Sequence, residues 1–182
     1  EYGRALEHAA ALQQHAPTSA AVARRIGHLH VVRGDLPAAR AELERARGLS
    51  DADGDHAEMV RVLADIAEAG FLGGEHDAAL ASGRRALELG QSDRSLLPVL
   101  IAVSNSLGKV ALEQGDYGEA ARRFEANLGD ARAAGVTPEV ARALINLGIA
   151  SLRAGDHERA ERCYQEGLGA AKDAGDHRHR AF

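Results

Sequence analysis

The residues that could do chemistry are few and scattered. Asp51, Asp53 and Asp55 alternate in an acidic loop, the spacing with which a calcium-binding loop begins. Such a loop needs glycine at its sixth position and glutamate at its twelfth, and here those positions hold His56 and Val62. The trio therefore reads as a solvated loop in which Asp55 caps the next helix. His177 and His179, with His157, offer imidazole nitrogens, but no carboxylate or cysteine completes a set at ligand spacing. They read as residues near a chain end, and no metal site is expected. Cys163, the single cysteine, has no histidine at any motif spacing and reads as a small packing or surface residue. One cysteine forms no intramolecular disulfide and fits a reducing, cytoplasmic setting. No phosphate-binding loop, zinc-protease helix motif or Gly-x-Ser-x-Gly elbow is present. The expectation is a protein that is not an enzyme and carries no cofactor.

What the chain does carry is helix-forming composition. Of 182 residues, 45% are hydrophobic and 27% charged, which fits a folded chain. Aromatics are only 3%, tryptophan is absent and alanine is abundant. Small side chains let helix axes approach closely, and alanine has the best helix propensity. A net charge of -5 and a pI near 6.0 provide no basic surface for nucleic acid. The longest apolar run, Leu96 to Val103, falls short of the ~20 residues a membrane-spanning helix needs, so no membrane partner is expected, and no signal peptide is visible. Arginine far outnumbers lysine, with only Lys109 and Lys172, and with the alanine content this points to a GC-rich bacterial gene. Beginning at Glu1, the chain reads as a piece of a longer protein.

The helices repeat. Gly34-Asp35, Gly74-Glu75, Gly115-Asp116 and Gly155-Asp156 stand 40, 41 and 40 residues apart. Five residues after each glycine comes Ala39, Ala79, Ala120 or Ala160, and seven before comes Gly27, Ala67, Gly108 or Gly148. Ile26, Ile66, Leu107 and Leu147 precede those small residues. Glycine ends a helix at low steric cost, and the acid after it suits the positive start of the next. Each copy thus reads helix, tight turn, helix, with the small residues where the two cross. Thr137-Pro138-Glu139 reads as cap, first helical residue and first-turn acid. Asp55 and Glu58 have capping-box spacing. Gly90, Gly135 and Gly175 stand where second helices should stop, and Pro17, Pro37, Pro98 and Pro138 all fall before or within a first turn.

These columns resemble the tetratricopeptide repeat (TPR) family. The best copy is Leu144-Ile145-Asn146-Leu147-Gly148, then Gly155-Asp156, Ala160 and Tyr164; next is Leu107-Gly108, Gly115-Asp116-Tyr117, Ala120 and Phe124. The first two copies depart from the pattern, with Leu43 and Gly83 in the aromatic column. The family's early tryptophan is replaced by Ala23, Leu63, Ser104 and Leu144. The period looks like the long-helix variety found in bacterial signalling proteins, such as ATPase-linked transcription regulators and kinase-linked sensors. The resemblance implies an all-α, right-handed α-α superhelix of antiparallel helix pairs, one array over residues 1–182. Residues 1–19 hold the second helix of a cut repeat, 20–59, 60–100, 101–140 and 141–175 are repeats, and 176–182 open another. Uncapped ends offer surfaces for self-association.

In such arrays first helices line the concave face. The exposed stripe implied there is Ala21, Arg24, His28 and Val31; Arg61, Ala64, Glu68 and Phe71; Ala102, Asn105, Lys109 and Leu112; Arg142, Ile145, Ile149 and Leu152, with Arg153 beside it. This basic and apolar mixture would suit an extended or helical peptide with an acidic residue and apolar anchors. Asn146 stands where similar TPR proteins hydrogen-bond a bound peptide's backbone. Arg24 and His28 fit a chaperone-type carboxylate clamp loosely, but Asp65 is acidic where an amide is wanted, so chaperone-tail binding is not expected. The function implied is a protein- or peptide-binding scaffold of a larger bacterial regulatory protein. The alternatives are a ligand-sensing or intramolecular arm of an ATPase- or kinase-linked regulator, and a structural spacer.

Overall fold

The computed structural model describes residues 2–173 and 175, and among these the chain is helical with no strand. The helices are α1 (Tyr2–His15), α2 (Ala20–Arg33), α3 (Leu36–Asp53), α4 (His56–Leu72), α5 (His76–Gly90), α6 (Leu97–Glu113), α7 (Tyr117–Ala133), α8 (Thr137–Arg153) and α9 (His157–Asp173). A short 3-10 turn, Arg94–Leu96, leads into α6. First helices α2, α4 and α8 pack on second helices α3, α5 and α9. The chain divides into two compact units, Glu1–Val103 and Ser104–Phe182, with the division inside α6. Helices α4, α6 and α8 begin at His56, Leu97 and Thr137. The repeat boundaries drawn at 60, 101 and 141 therefore lie about one turn inside these helices.

The turns follow the sequence columns. Gly155 has φ 83, a left-handed conformation, and the neighbouring Asp156 accepts from the Arg159 N–H at 3.0 Å. Asp35 and Asp116 cap α3 and α7 in the same way. Glu75, one methylene longer, makes no cap bond and pairs instead with Arg40 on α3. Two local readings need correction. Thr137 is the first residue of α8 rather than its cap; Val136 takes that place without a side-chain bond. Gly90 ends α5 where a stop is expected, without a positive φ, whereas Gly135 and Gly175 are left-handed. At Gly90 it is space that is scarce, since a Cβ there would sit 2.7 Å from Leu100 Cδ2. The capping box at α4 is half made: Glu58 N–H donates to Asp55 at 2.9 Å, but the Glu58 carboxylate turns to Arg24.

Small residues in first helices receive large ones from second helices. A Cβ on Gly108 would meet the Phe124 ring at 2.6 Å, and one on Gly148 the Tyr164 ring at 2.6 Å. Phe124 is fully buried, worth about 1.5–3 kcal/mol in apolar area removed from water. Around it Leu128, Ala143, Leu144, Leu147 and Ala150 form the core of the second unit, with Cys163 at its edge. In the first unit Ala23, Ala46 and Val62 form one cluster and Val31, Ala39 and Leu43 another, with Ile66 touching both.

The segment Arg94–Glu113, 20 residues, is long and apolar enough to reach across a membrane core. Reading only the run Leu96–Val103 missed this, because the helix continues through uncharged Ser104, Asn105 and Ser106. Half of its most apolar window is buried within the protein, as a core helix requires.

Candidate functional site

In the first unit the implied stripe becomes a network of ion pairs between α2 and α4. Arg24 Nε donates to Glu58 Oε1 at 2.6 Å, and its Nη1 donates to Asp65 Oδ2 at 3.0 Å. Arg61 Nη1 reaches the other Glu58 oxygen at 3.3 Å, and His28 Nδ1 lies 3.1 Å from Asp65 Oδ1. Glu58 and Asp65 are buried, so a carboxylate without such partners would be costly there. Burial works against the Arg24 charge, but the hydrogen bonds to Glu58 and Asp65 and their charges outweigh it and raise its pKa. The hydrogen bond to Asp65 raises the His28 imidazole above its ordinary 6.5, against the opposing effect of burial. His28, Asp65 and Glu68 bring their ligating atoms within 4.8 Å of one another. Motif spacing along the chain did not reveal this set, because it is assembled from two helices one repeat apart.

In the second unit Asn146 Nδ2 donates to Asn105 Oδ1 at 2.6 Å. Asn105 is buried and Asn146 half-buried. One Asn146 N–H expected to meet a peptide backbone is thus directed at a neighbouring helix. Arg142 Nη1 donates to both oxygens of Glu139 at 2.8 Å. Ile149 and Leu152 are exposed, as is Arg153, while Lys109, Leu112 and Ile145 are half-buried.

At the last position of the implied row in each first helix of the first unit, the more exposed residue is the one that follows. Val31 is buried in the core and Val32 is exposed; Phe71 is half-buried and Leu72 exposed. Of the two adjacent positions, packing against α3 claims Val31, which touches the Ala39 and Leu43 cluster. A cleft of about 570 Å³ opens beside these ends of α2 and α4, lined by Val32, Arg33, Glu68 and Leu72. Another, of about 510 Å³, lies among α3, α4 and α5 and is lined by Arg47, Asp51, His56, Met59 and Arg85. Asp51 and Asp53, read as loop residues, instead belong to the last turn of α3, while Asp55 caps α4 as expected; Asp51 and Asp55 border this cleft. Cys163 is buried, and that burial pushes its thiol above the ordinary range, which removes thiolate character. His177 and His179 lie outside the described residues.

Tandem helix pairs recurring every 40 residues or so, with one side chain column filling a gap in the next helix, define a helical-repeat protein. Family models described as tetratricopeptide repeat match residues 24–94 and 99–173, and the chain belongs to the tetratricopeptide repeat family. No curated protein sequence matches it. Solved structures do. Aspartyl phosphate phosphatase F from Bacillus subtilis is 11% identical with a TM-score of 0.81, covering 88% of this chain and 42% of its own. The Rap conjugation gene regulator of plasmid pLS20, solved in complex with the Phr* peptide, is 18% identical with a TM-score of 0.80, covering 99% and 51%. YrrB, described as a TPR protein with an unusual peptide-binding site, is 18% identical with a TM-score of 0.61, covering 98% and 81%. At these identities the likeness establishes the fold, and this chain spans about half the length of the first two.

Proposed function

We propose that this chain is a peptide- or protein-binding module of a larger bacterial regulatory protein, working in the cytoplasm, and that it holds its partner along its first helices. One observation carries the reading. Of the large hydrophobic side chains exposed among the described residues, Val32, Leu72, Ile149 and Leu152 stand in the last two turns of α2, α4 and α8. Within each unit, exposed aliphatic residues at the ends of first helices, Val32 and Leu72 in one and Ile149 and Leu152 in the other, form the kind of surface a partner covers. Arg24, Arg61 and Arg142 are already paired with carboxylates of their own chain. Aliphatic anchors on the partner therefore supply most of the affinity, and an acidic residue adds selectivity near Arg33 in one unit or Arg153 in the other. A peptide bound to one protein of similar fold and a peptide-binding site in another support the partner reading, and the alanine- and arginine-rich composition supports the bacterial one.

The test is selection from a displayed library of random peptides on the chain, with an Ile149→Asp/Leu152→Asp variant as counter-selection. Enrichment of peptides with two or more spaced aliphatic residues, lost on the variant, is the expected result. No enrichment, or enrichment that the variant retains, would move the weight to a spacer or to an arm whose surface is covered by its own parent protein.

A further inference from the structure

We propose that His28 of α2 with Asp65 and Glu68 of α4 forms a binding site for a divalent transition-metal ion. The inference goes beyond partner binding and stands on the geometry of three side chains. Their ligating atoms lie within 4.8 Å of one another. His28 Nδ1 and Asp65 Oδ1 are 3.1 Å apart. Two donors sharing one small ion sit about 3.0–3.4 Å apart when each bond is about 2.0–2.2 Å, so this pair is already at ligand separation. Asp65 and Glu68 are three positions apart on one helix, which puts them on the same face, and Glu68 has only to shorten a separation of at most 4.8 Å.

The surroundings suit a cation. Arg24 holds the Asp65 carboxylate through Oδ2, while Oδ1 faces the imidazole. That is the task of an outer partner which orients a metal-binding carboxylate. The local charge is favourable to a cation. Arg24 and Arg61 stand against Glu58, Asp65 and Glu68, which leaves one negative charge uncompensated while His28 is neutral. A metal ion bound there displaces any proton on the imidazole, because the ligating nitrogen must be unprotonated. The groups facing His28 are Arg24 on its own helix and Asp65 and Glu68 on α4. One nitrogen and two carboxylates suit zinc or manganese rather than a soft ion such as copper(I). Glu68 also lines the cleft beside Val32 and Leu72, where water can fill the remaining coordination positions.

The experiment is calorimetric titration of the chain with zinc chloride, in a His177→Ala/His179→Ala background so that the terminal histidines do not compete. One saturable site is expected, weaker at pH 6.0 than at pH 7.5, with proton release detectable by repeating the titration in buffers of different ionisation enthalpy. His28→Ala and Glu68→Gln should each weaken it by more than about tenfold, with helicity by circular dichroism unchanged. Glu68 is half-exposed, so its substitution keeps the protein folded and the test interpretable. Zinc binding that is absent in that background, or that both variants leave unchanged, overturns the proposal.

Discussion

Asn146 donates to Asn105 at 2.6 Å, and the two stand nine and ten residues before their turn glycines, Gly155 and Gly115. Asp65 and Arg24 occupy the same two positions before Gly74 and Gly34, and they too are joined, at 3.0 Å. One register thus links successive first helices within each unit, by an amide pair in one and a charged pair in the other. The partners are 41 residues apart in both cases. This is the sum of one repeat and one step along the helix in the first unit, where the repeat is 40 residues long, and likewise in the second.

The amide pair should respond unequally to truncation. Asn146→Ala leaves a buried Asn105 amide without its partner and is expected to cost about 1–3 kcal/mol. Asn105→Ala leaves a half-exposed amide that water can reach, and should cost less. Urea unfolding of both variants and the double variant checks this; equal costs would mean that the pair contributes nothing specific.

The charged pair should be harsher. Arg24→Met removes the guanidinium shared by the buried carboxylates Glu58 and Asp65, leaving them only Arg61 and His28, and is expected to cost about 3 kcal/mol. Arg142→Ala removes a partner of the half-exposed Glu139 and should cost under about 1 kcal/mol. Thermal melts of the two variants compare them directly, and a ranking the other way round would mean that the α2–α4 network is not what holds these carboxylates.

His28 gives the fold a pH dependence of known sign. Its folded pKa lies above the ordinary 6.5, so the folded state holds the proton more tightly than the unfolded chain. The stabilisation is complete below about pH 6.5 and fades as pH rises through the folded value. With the imidazole side chain 44% exposed, the effect should stay under about 1 kcal/mol. Melting of the wild type and His28→Gln in chelator, from about pH 5.5 to 8.5, should show a difference that is largest at the acid end. A difference that grows with pH would contradict this.

Gly148→Trp should lower stability by several kcal/mol, on the order of the larger overpacking defects, because even a Cβ there meets Tyr164 at 2.6 Å. Adding Tyr164→Ala should recover part of the loss. A neutral single variant in chemical unfolding would mean that the α8–α9 crossing lies elsewhere.

The helices, their turns and their close crossings were legible because each rests on a local property. Gly155 and Asp156 end one helix and start the next wherever they stand, and the Gly148 and Tyr164 columns match in size. The site was less legible because it depends on rotation and reach. Whether Val31 or Val32 faces outward is decided by how α2 settles on α3, a shift of one residue that the repeat pattern leaves open. Asn146 was read as a peptide contact, and its partner Asn105 was also in the stripe, but the bond between them needed the register of two helices. Glu58 was read only as a capping residue; its carboxylate goes to Arg24, 34 positions away. His28, Asp65 and Glu68 come together only once α2 lies beside α4.

The most direct test of the account is hydrogen exchange measured with a selected peptide bound. Binding along the first helices predicts slowed exchange in the last turns of α2 and α4, or of α8, with α7 and α9 unchanged. Protection confined to α7 and α9, or none at saturating peptide, would contradict it.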